Sequence, residues 1–296
     1  MSRLRFLTAG ESHGMQLTAV LEGCPAGLEV EAADIDRDLA RRQLGYGRGG
    51  RMAIEQDRIE ILGGVRYGHT TGAPIALAIT NRDSGNWGSA LAVTPPVDNA
   101  DRAARVSIPR PGHADLGGAL LYDLDDIRDV IERASARETA ARVACGAIAK
   151  VLLRTIGCRV VSHVVAIGGE RGDASLSLDD MARVEADPVR CADPAASARM
   201  CAAIDDAAAA GDTLGGVFEV LAEGYPPGVG SYVHGDRRLQ SALAAAVLSI
   251  PAIKGVEFGL GFAAAAKPSP NSTPLMAGME RTAAASADCS RRSPWT

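Results

Sequence analysis

Arginine is the residue type whose spacing says most about chemistry in this chain. Arg41, Arg42, Arg48 and Arg51 flank or occupy the run Gly45-Tyr46-Gly47-Arg48-Gly49-Gly50-Arg51. Backbone N–H groups beside guanidinium forks suit a phosphate or carboxylate, which arginine binds in bidentate geometry. A solvated basic loop is the other reading of the same residues. The run is no Walker loop, because it lacks Gly-Lys-Ser/Thr, and no clear strand leads into it as a dinucleotide fingerprint requires. Arg133 and Arg137 stand four apart, so a continuous helix places them on one face. Glu132, Glu138 and Arg142 make that face an ordinary ion-pair surface, whereas the small residues Ala134-Ser135-Ala136 let a ligand approach between two guanidinium groups.

Two histidines stand in tight irregular segments. His13 is enclosed by Gly10 and Gly14, and His113 follows Arg110-Pro111-Gly112. A histidine held in this way can serve as general acid or base around neutral pH. His69, His163 and His234 lack comparable settings and read as structural. No histidine pair has metal spacing and the aspartates form no calcium loop, so no metal site is expected. Gly10-Glu11-Ser12-His13-Gly14 also matches G-x-S-x-G, the nucleophile elbow of α/β hydrolases. That motif needs a helix after the turn, and Met15–Glu22 reads as extended.

The elements that must position these residues follow from periodicity and turn chemistry. Strands are expected at Arg3–Ala9, Leu17–Glu22, Arg58–Leu62, Pro74–Thr80, Arg159–Gly168, Gly216–Ala222 and Val256–Gly261. A helix over Ala33–Arg42, with Asp34 as its cap and Ile35 and Leu39 four apart, stops at Gly45. The strongest helix runs from Asp125 to Ile156, with Gly157 where a C-cap belongs. Leu178–Ala210 is helical, punctuated by Pro188 and Pro194, and Leu239–Ile250 is a further helix. Asn81–Trp87 is a polar loop, and Pro109 and Pro111 exclude regular structure before His113. Strands and helices do not strictly alternate, which favours an α+β architecture over a doubly wound parallel sheet.

Composition sets the outer bounds. The 296 residues are 47% hydrophobic and 23% charged, with a net charge of −5. That suits one large or two ordinary domains. No apolar run is long enough to span a bilayer, and Glu11 and His13 interrupt the N-terminus before a signal peptide can develop. Mild acidity and an aromatic content of 4% argue against nucleic acid as a partner. The six cysteines (Cys24, Cys145, Cys158, Cys191, Cys201 and Cys289) form no C-x-x-C pair and read as reduced, mostly buried thiols. A cytoplasmic enzyme with no membrane partner is the expectation.

Taken in order, several of these segments resemble the chorismate synthase family. They are Gly10-Glu11-Ser12-His13-Gly14, Leu44–Arg51, Arg110-Pro111-Gly112-His113-Ala114-Asp115, Glu132–Ala140, Gly211-Asp212-Thr213-Leu214-Gly215-Gly216 and Ala252-Ile253-Lys254-Gly255-Val256-Glu257. The likeness runs from about Leu4 to Phe262. It implies a β-α-β sandwich, with helices between antiparallel sheets, assembled as a homotetramer. It implies a carbon–oxygen lyase that converts 5-enolpyruvylshikimate 3-phosphate to chorismate and phosphate by 1,4-anti elimination, in the shikimate pathway to aromatic amino acids. Reduced FMN is required although there is no net redox change.

By the same resemblance, His13 stands by the departing phosphate as proton donor, and His113 by the flavin. Ser12, Arg42, Arg48, Arg51, Arg110 and Arg137 contact the substrate, whose phosphate and two carboxylates call for an arginine-lined pocket. Arg133, Ala134 and Ser135 fall on one FMN-binding segment, and Pro251 and Ala252 on another. Arg42 and Arg48 also fall where the family contacts NADPH. Residues 1–262 are then the family domain. From Ala263 to Thr296 no Val, Ile, Phe or Tyr occurs, and this stretch is expected to be a disordered, non-family tail left by a frameshift or truncation. It lacks the glycine-rich flavin loop and the catalytic Asp that family members carry after this point. Poor activity is the corresponding expectation, with a non-catalytic remnant that binds phosphorylated ligand weakly as the alternative function.

Overall fold

The structure is a computed structural model that describes residues 4–48, 56–98, 103–172, 181–266 and 281–287. The chain divides into two units: residues 1–44 with 48–152, and residues 45–47 with 153–296. Each is α+β, and every strand pairing within its sheets is antiparallel.

The first unit opens with β1 (Arg5–Ala9) and β2 (Gln16–Glu22), joined by the Gly10–Gly14 turn. Helix α1 (Ala32–Gln43) follows, then β3 (Ile59–Gly63), the short pair β4 (Val65–Arg66) and β5 (His69–Thr70), and β6 (Ile75–Thr80). The main sheet has the order β1-β2-β6-β3. Alternation decides which face is buried. Leu17, Ala19 and Leu21 of β2 turn inward with Ile75, Leu77 and Ile79 of β6, while Val20 stays exposed. Ile35 and Leu39, four apart on α1, are fully buried in the same core. Asp34 does not cap α1; Glu31 occupies that position without a side-chain bond, and Asp34 lies in the first turn paired to Arg37.

The long helix expected over Asp125–Ile156 is broken. After α2 (Asp115–Tyr122), the chain forms the short α3 (Arg128–Arg133), a 3-10 turn at Ala136–Glu138, and α4 (Thr139–Thr155). The physical cause is Ser135, whose backbone is extended and whose hydroxyl accepts the amide N–H of Arg137 as an N-cap. A serine that bonds the following backbone competes with a continuing helix. Beyond the break, Ala140, Ala144 and Ile148 of α4 return to the core.

The second unit carries β7 (Arg159–Ile167), β8 (Glu170–Arg171), α5 (Met181–Ala186), α6 (Pro194–Ala209), β9 (Gly216–Glu223), α7 (Leu239–Leu248), β10 (Ile253–Phe258) and β11 (Arg281–Ala287). Its sheet order is β10-β11-β9-β7-β8. Asp193 caps α6 through the amides of Ala195 and Ala196, and Pro194 supplies the first helical position. Val189, Cys191, Ala196 and Met200 form its buried core. In the stretch after Phe262, the described residues comprise the rest of the 3-10 turn Gly261–Ala266 and strand β11.

Candidate active site

The β1–β2 connection is where the first unit concentrates its chemistry. Gly10 has φ +103°, and a Cβ there would stand 2.4 Å from the carbonyl oxygen of Gln16. Only glycine allows so tight a reversal. Because a strand follows the turn, Ser12 does not sit on a nucleophile elbow. Its hydroxyl accepts from Ser135 Oγ at 3.0 Å, and its carbonyl accepts from the buried Asn81 side chain at 2.9 Å.

His13 is held on two sides. Its ring stacks on Trp87 with centroids 4.0 Å apart and planes 25° apart. Its Nδ1 lies 2.8 and 3.0 Å from the two carboxylate oxygens of Glu132, and its backbone N–H donates to Glu132 Oε2 at 2.8 Å. Trp87 is fixed in turn by Asp83, and Asp83 by Asn81. His113 is exposed, with Nδ1 3.0 Å from the Pro111 carbonyl. A carbonyl or carboxylate only accepts, so Nδ1 carries the proton in both rings and Nε2 is the nitrogen presented elsewhere.

The arginines form a connected run. Arg137, 5% exposed, makes a bidentate pair with the buried Asp57 at 2.6 and 2.7 Å. Arg42 stands 3.7 Å from the same carboxylate and donates to Thr139 and to the Ala136 carbonyl. Arg48 donates to the Arg42 carbonyl. Since the helix breaks at Ser135, Arg133 and Arg137 do not share a face as the spacing suggested. Arg133 instead turns to Thr8, donating to its carbonyl at 2.9 Å and its hydroxyl at 2.7 Å. Glu138, expected on an exposed ion-pair surface, is buried and accepts from Thr8 and Arg142.

Arg110 is locked to the fully buried Asp115 through Nε, Nη2 and its backbone N–H. Burial works against a charged Asp115, but the Arg110 hydrogen bonds and positive charge outweigh it and hold the carboxyl below its ordinary range. The same pairing raises Arg110. Arg51 lies outside the described residues. Pro251 and Ala252 are exposed in the second unit, between α7 and β10, and Ala252 is left-handed with φ +71°. In that unit Tyr46, from the glycine-rich run, donates to Asp205 at 2.8 Å.

Sequence reasoning missed Glu132 as a partner of His13, and it missed Asp57, Trp87 and Asn81 altogether. Nothing local marks them, because each acts on a residue far along the chain. Of the other histidines, His163 is buried against Glu219, while His69 and His234 are exposed. Cys24, Cys145, Cys158 and Cys191 are buried free thiols, and Cys201 is half-buried. Among the described residues no cluster of three His, Cys, Asp or Glu could hold a metal ion, and no helix is long and apolar enough to cross a membrane.

Residues 4–285 match the chorismate synthase family. A chorismate synthase of Geobacillus thermodenitrificans is 57% identical over 268 residues, covering 90% of this chain and 69% of that protein. That of Symbiobacterium thermophilum is 58% identical over 265 residues, covering 88% and 68%. A crystal structure of a chorismate synthase superposes with a TM-score of 0.77 at 36% identity, over 97% of this chain and 84% of that one. The chain belongs to the chorismate synthase family.

Proposed function

We propose that the turn carrying Ser12 and His13, with the arginines joined to it, is where this lyase binds 5-enolpyruvylshikimate 3-phosphate and expels its phosphate. The observation that supports this best is the single network of hydrogen bonds and ion pairs linking Ser12, Ser135, Arg137, Asp57 and Arg42, residues drawn from across more than 120 positions of the first unit. The elimination breaks the carbon–phosphate ester C–O bond, removes a proton and forms a new carbon–carbon double bond. Developing negative charge on the phosphate is what fixed cations and a proton donor stabilise. His13 as the imidazolium is that donor, giving up the Nε2 proton and left as the Nδ1–H tautomer. Arg42, Arg48, Arg51, Arg110 and Arg137 supply the positive field for phosphate and carboxylates, and Ser12 a hydroxyl contact.

Chorismate synthases require reduced flavin. Bound flavin supplies the electron chemistry, and the protein supplies orientation and charge. We assign FMN contacts to Arg133, Ala134 and Ser135, and to Pro251 and Ala252 of the second unit. The fit rests on chemistry: a guanidinium, an exposed alanine and a hydroxyl follow one another at the helix break, and Pro251-Ala252 leaves an exposed backbone with little side chain to obstruct approach. His113 stands at the flavin in the same reading, and Arg42 and Arg48 serve NADPH where flavin is reduced in place. A cytoplasmic homotetramer completes the proposal.

Identity above 50% over nine-tenths of the chain does not favour a non-catalytic remnant. The test is an anaerobic assay of the full chain with reduced FMN and 5-enolpyruvylshikimate 3-phosphate, following chorismate. Turnover is expected, and H13A should lower kcat by roughly 10²–10⁴-fold, the usual span for a general acid. Absence of turnover in the parent chain, or an H13A variant as active as the parent, would sink the assignment.

A further inference from the structure

Resting on the reading of His13 as the proton donor, we propose that Glu132 is the positioning residue of His13, fixing its tautomer and aiming Nε2, with Trp87 setting the plane of the ring. Two donors of one residue converge on one carboxylate: the ring Nδ1–H and the backbone N–H of His13. The carbonyl of Glu132 also accepts the amide N–H of Ser12 at 3.2 Å, so side chain and backbone of one residue grip two successive positions of the turn. Glu132 is 3% exposed, which makes its contacts geometric constraints and not a screened surface pair. An ionised carboxylate accepts only, so the neutral ring is the Nδ1–H tautomer and its lone pair lies on Nε2. A carboxylate behind an imidazole holds its tautomer and orientation and stabilises the imidazolium.

The surroundings agree. Two torsions place an imidazole, and two contacts oppose them: Glu132 fixes the Nδ1 edge, and the Trp87 face fixes the rotation about it. Around the pair, Ser135 donates to the Ser12 hydroxyl, the Asp83 carboxylate accepts the indole N–H of Trp87, and the charge of Glu132 contributes to raising Arg110.

The substitution Glu132→Gln discriminates well. Glutamine offers one acceptor where two donors converge, and its NH₂ must then face the other. The backbone N–H cannot move its proton, but the ring can. The variant should therefore invert His13 to the Nε2–H tautomer, which long-range proton–nitrogen NMR spectra of the full chain read directly from the imidazole nitrogen shifts, assigned with H13A. In the anaerobic assay E132Q should lower kcat by ~10²-fold with KM within about threefold, since the interaction is made for the reacting proton. The double variant H13A/E132Q should be no slower than H13A alone, because a residue acting through His13 has nothing left to position.

The proposal is overturned if the parent ring is the Nε2–H tautomer, if E132Q keeps the parent tautomer and kcat, or if the two substitutions multiply. A merely structural glutamate predicts that last result. If H13A itself leaves turnover intact, the assignment of His13 as donor fails, while the tautomer measurement still decides whether Glu132 holds the ring.

Discussion

Asp57 and Asp115 show how single carboxylates shape a site made largely of cations. Each is buried, and each is matched to an arginine by a bidentate pair. Clustered guanidinium groups repel one another, so carboxylates set between or behind them fix their forks before an anionic ligand arrives. For Asp115 this has a consequence in pH. Its folded carboxyl is held below the ordinary value of 3.8 despite burial, through the Arg110 bonds and charge. A depressed carboxylate contributes stability above its unfolded value and loses it as pH falls through the folded one. Melting temperatures of the parent and D115N should therefore differ most near neutral pH, and the gap should close as pH drops below 3.8. A gap that stays constant through that range would mean Asp115 acts by packing and not by charge.

Among the elements, the break at Ser135 decides most. It separates Arg133 from Arg137, sends one to Thr8 and the other to Asp57, and brings Ser135 Oγ within 3.0 Å of Ser12 Oγ. We expect S135A to cost about 1 kcal/mol in urea denaturation, the usual loss for a capping serine. An unchanged midpoint would show that the break is set by the flanking helices instead. The same element marks how far the sequence could be read. Strands β1, β2, β3, β6, β7 and β9 were legible within a residue or two, because alternation reports a buried sheet face directly, as Leu17, Ala19 and Leu21 do. The break was not, because Ala134, Ser135 and Ala136 are all tolerated in a helix and only the partner of a serine hydroxyl decides its role. His13 and the arginines stood out by their neighbours in sequence. Glu132 did not, since an acid among Arg133, Arg137 and Arg142 looks like half of a surface ion pair until the fold brings His13 to it.

At the scale of the molecule, each unit has its own core, yet the first leaves apolar surface uncovered on α2. Leu116, Leu120, Leu121 and Tyr122 lie on this short helix, with Leu120 and Leu121 75% and 74% exposed. Scattered exposed leucines are ordinary, but four large apolar side chains within seven residues form a patch of the kind that marks an association surface. The side chains this helix buries are those of Asp115 and Ala119, and its large apolar ones stay exposed. The proposed homotetramer supplies the missing cover, a second copy of the chain. Sedimentation equilibrium of the full chain should then show an oligomer, and the double substitution L120E/L121E should shift it to smaller species at the same concentration. Charges placed in a desolvated contact are costly, whereas on a free surface they would be accommodated without change. A parent chain that sediments as a monomer would refute the assembly. An oligomer indifferent to L120E/L121E would move its interface away from α2 and leave that patch without the partner argued for it.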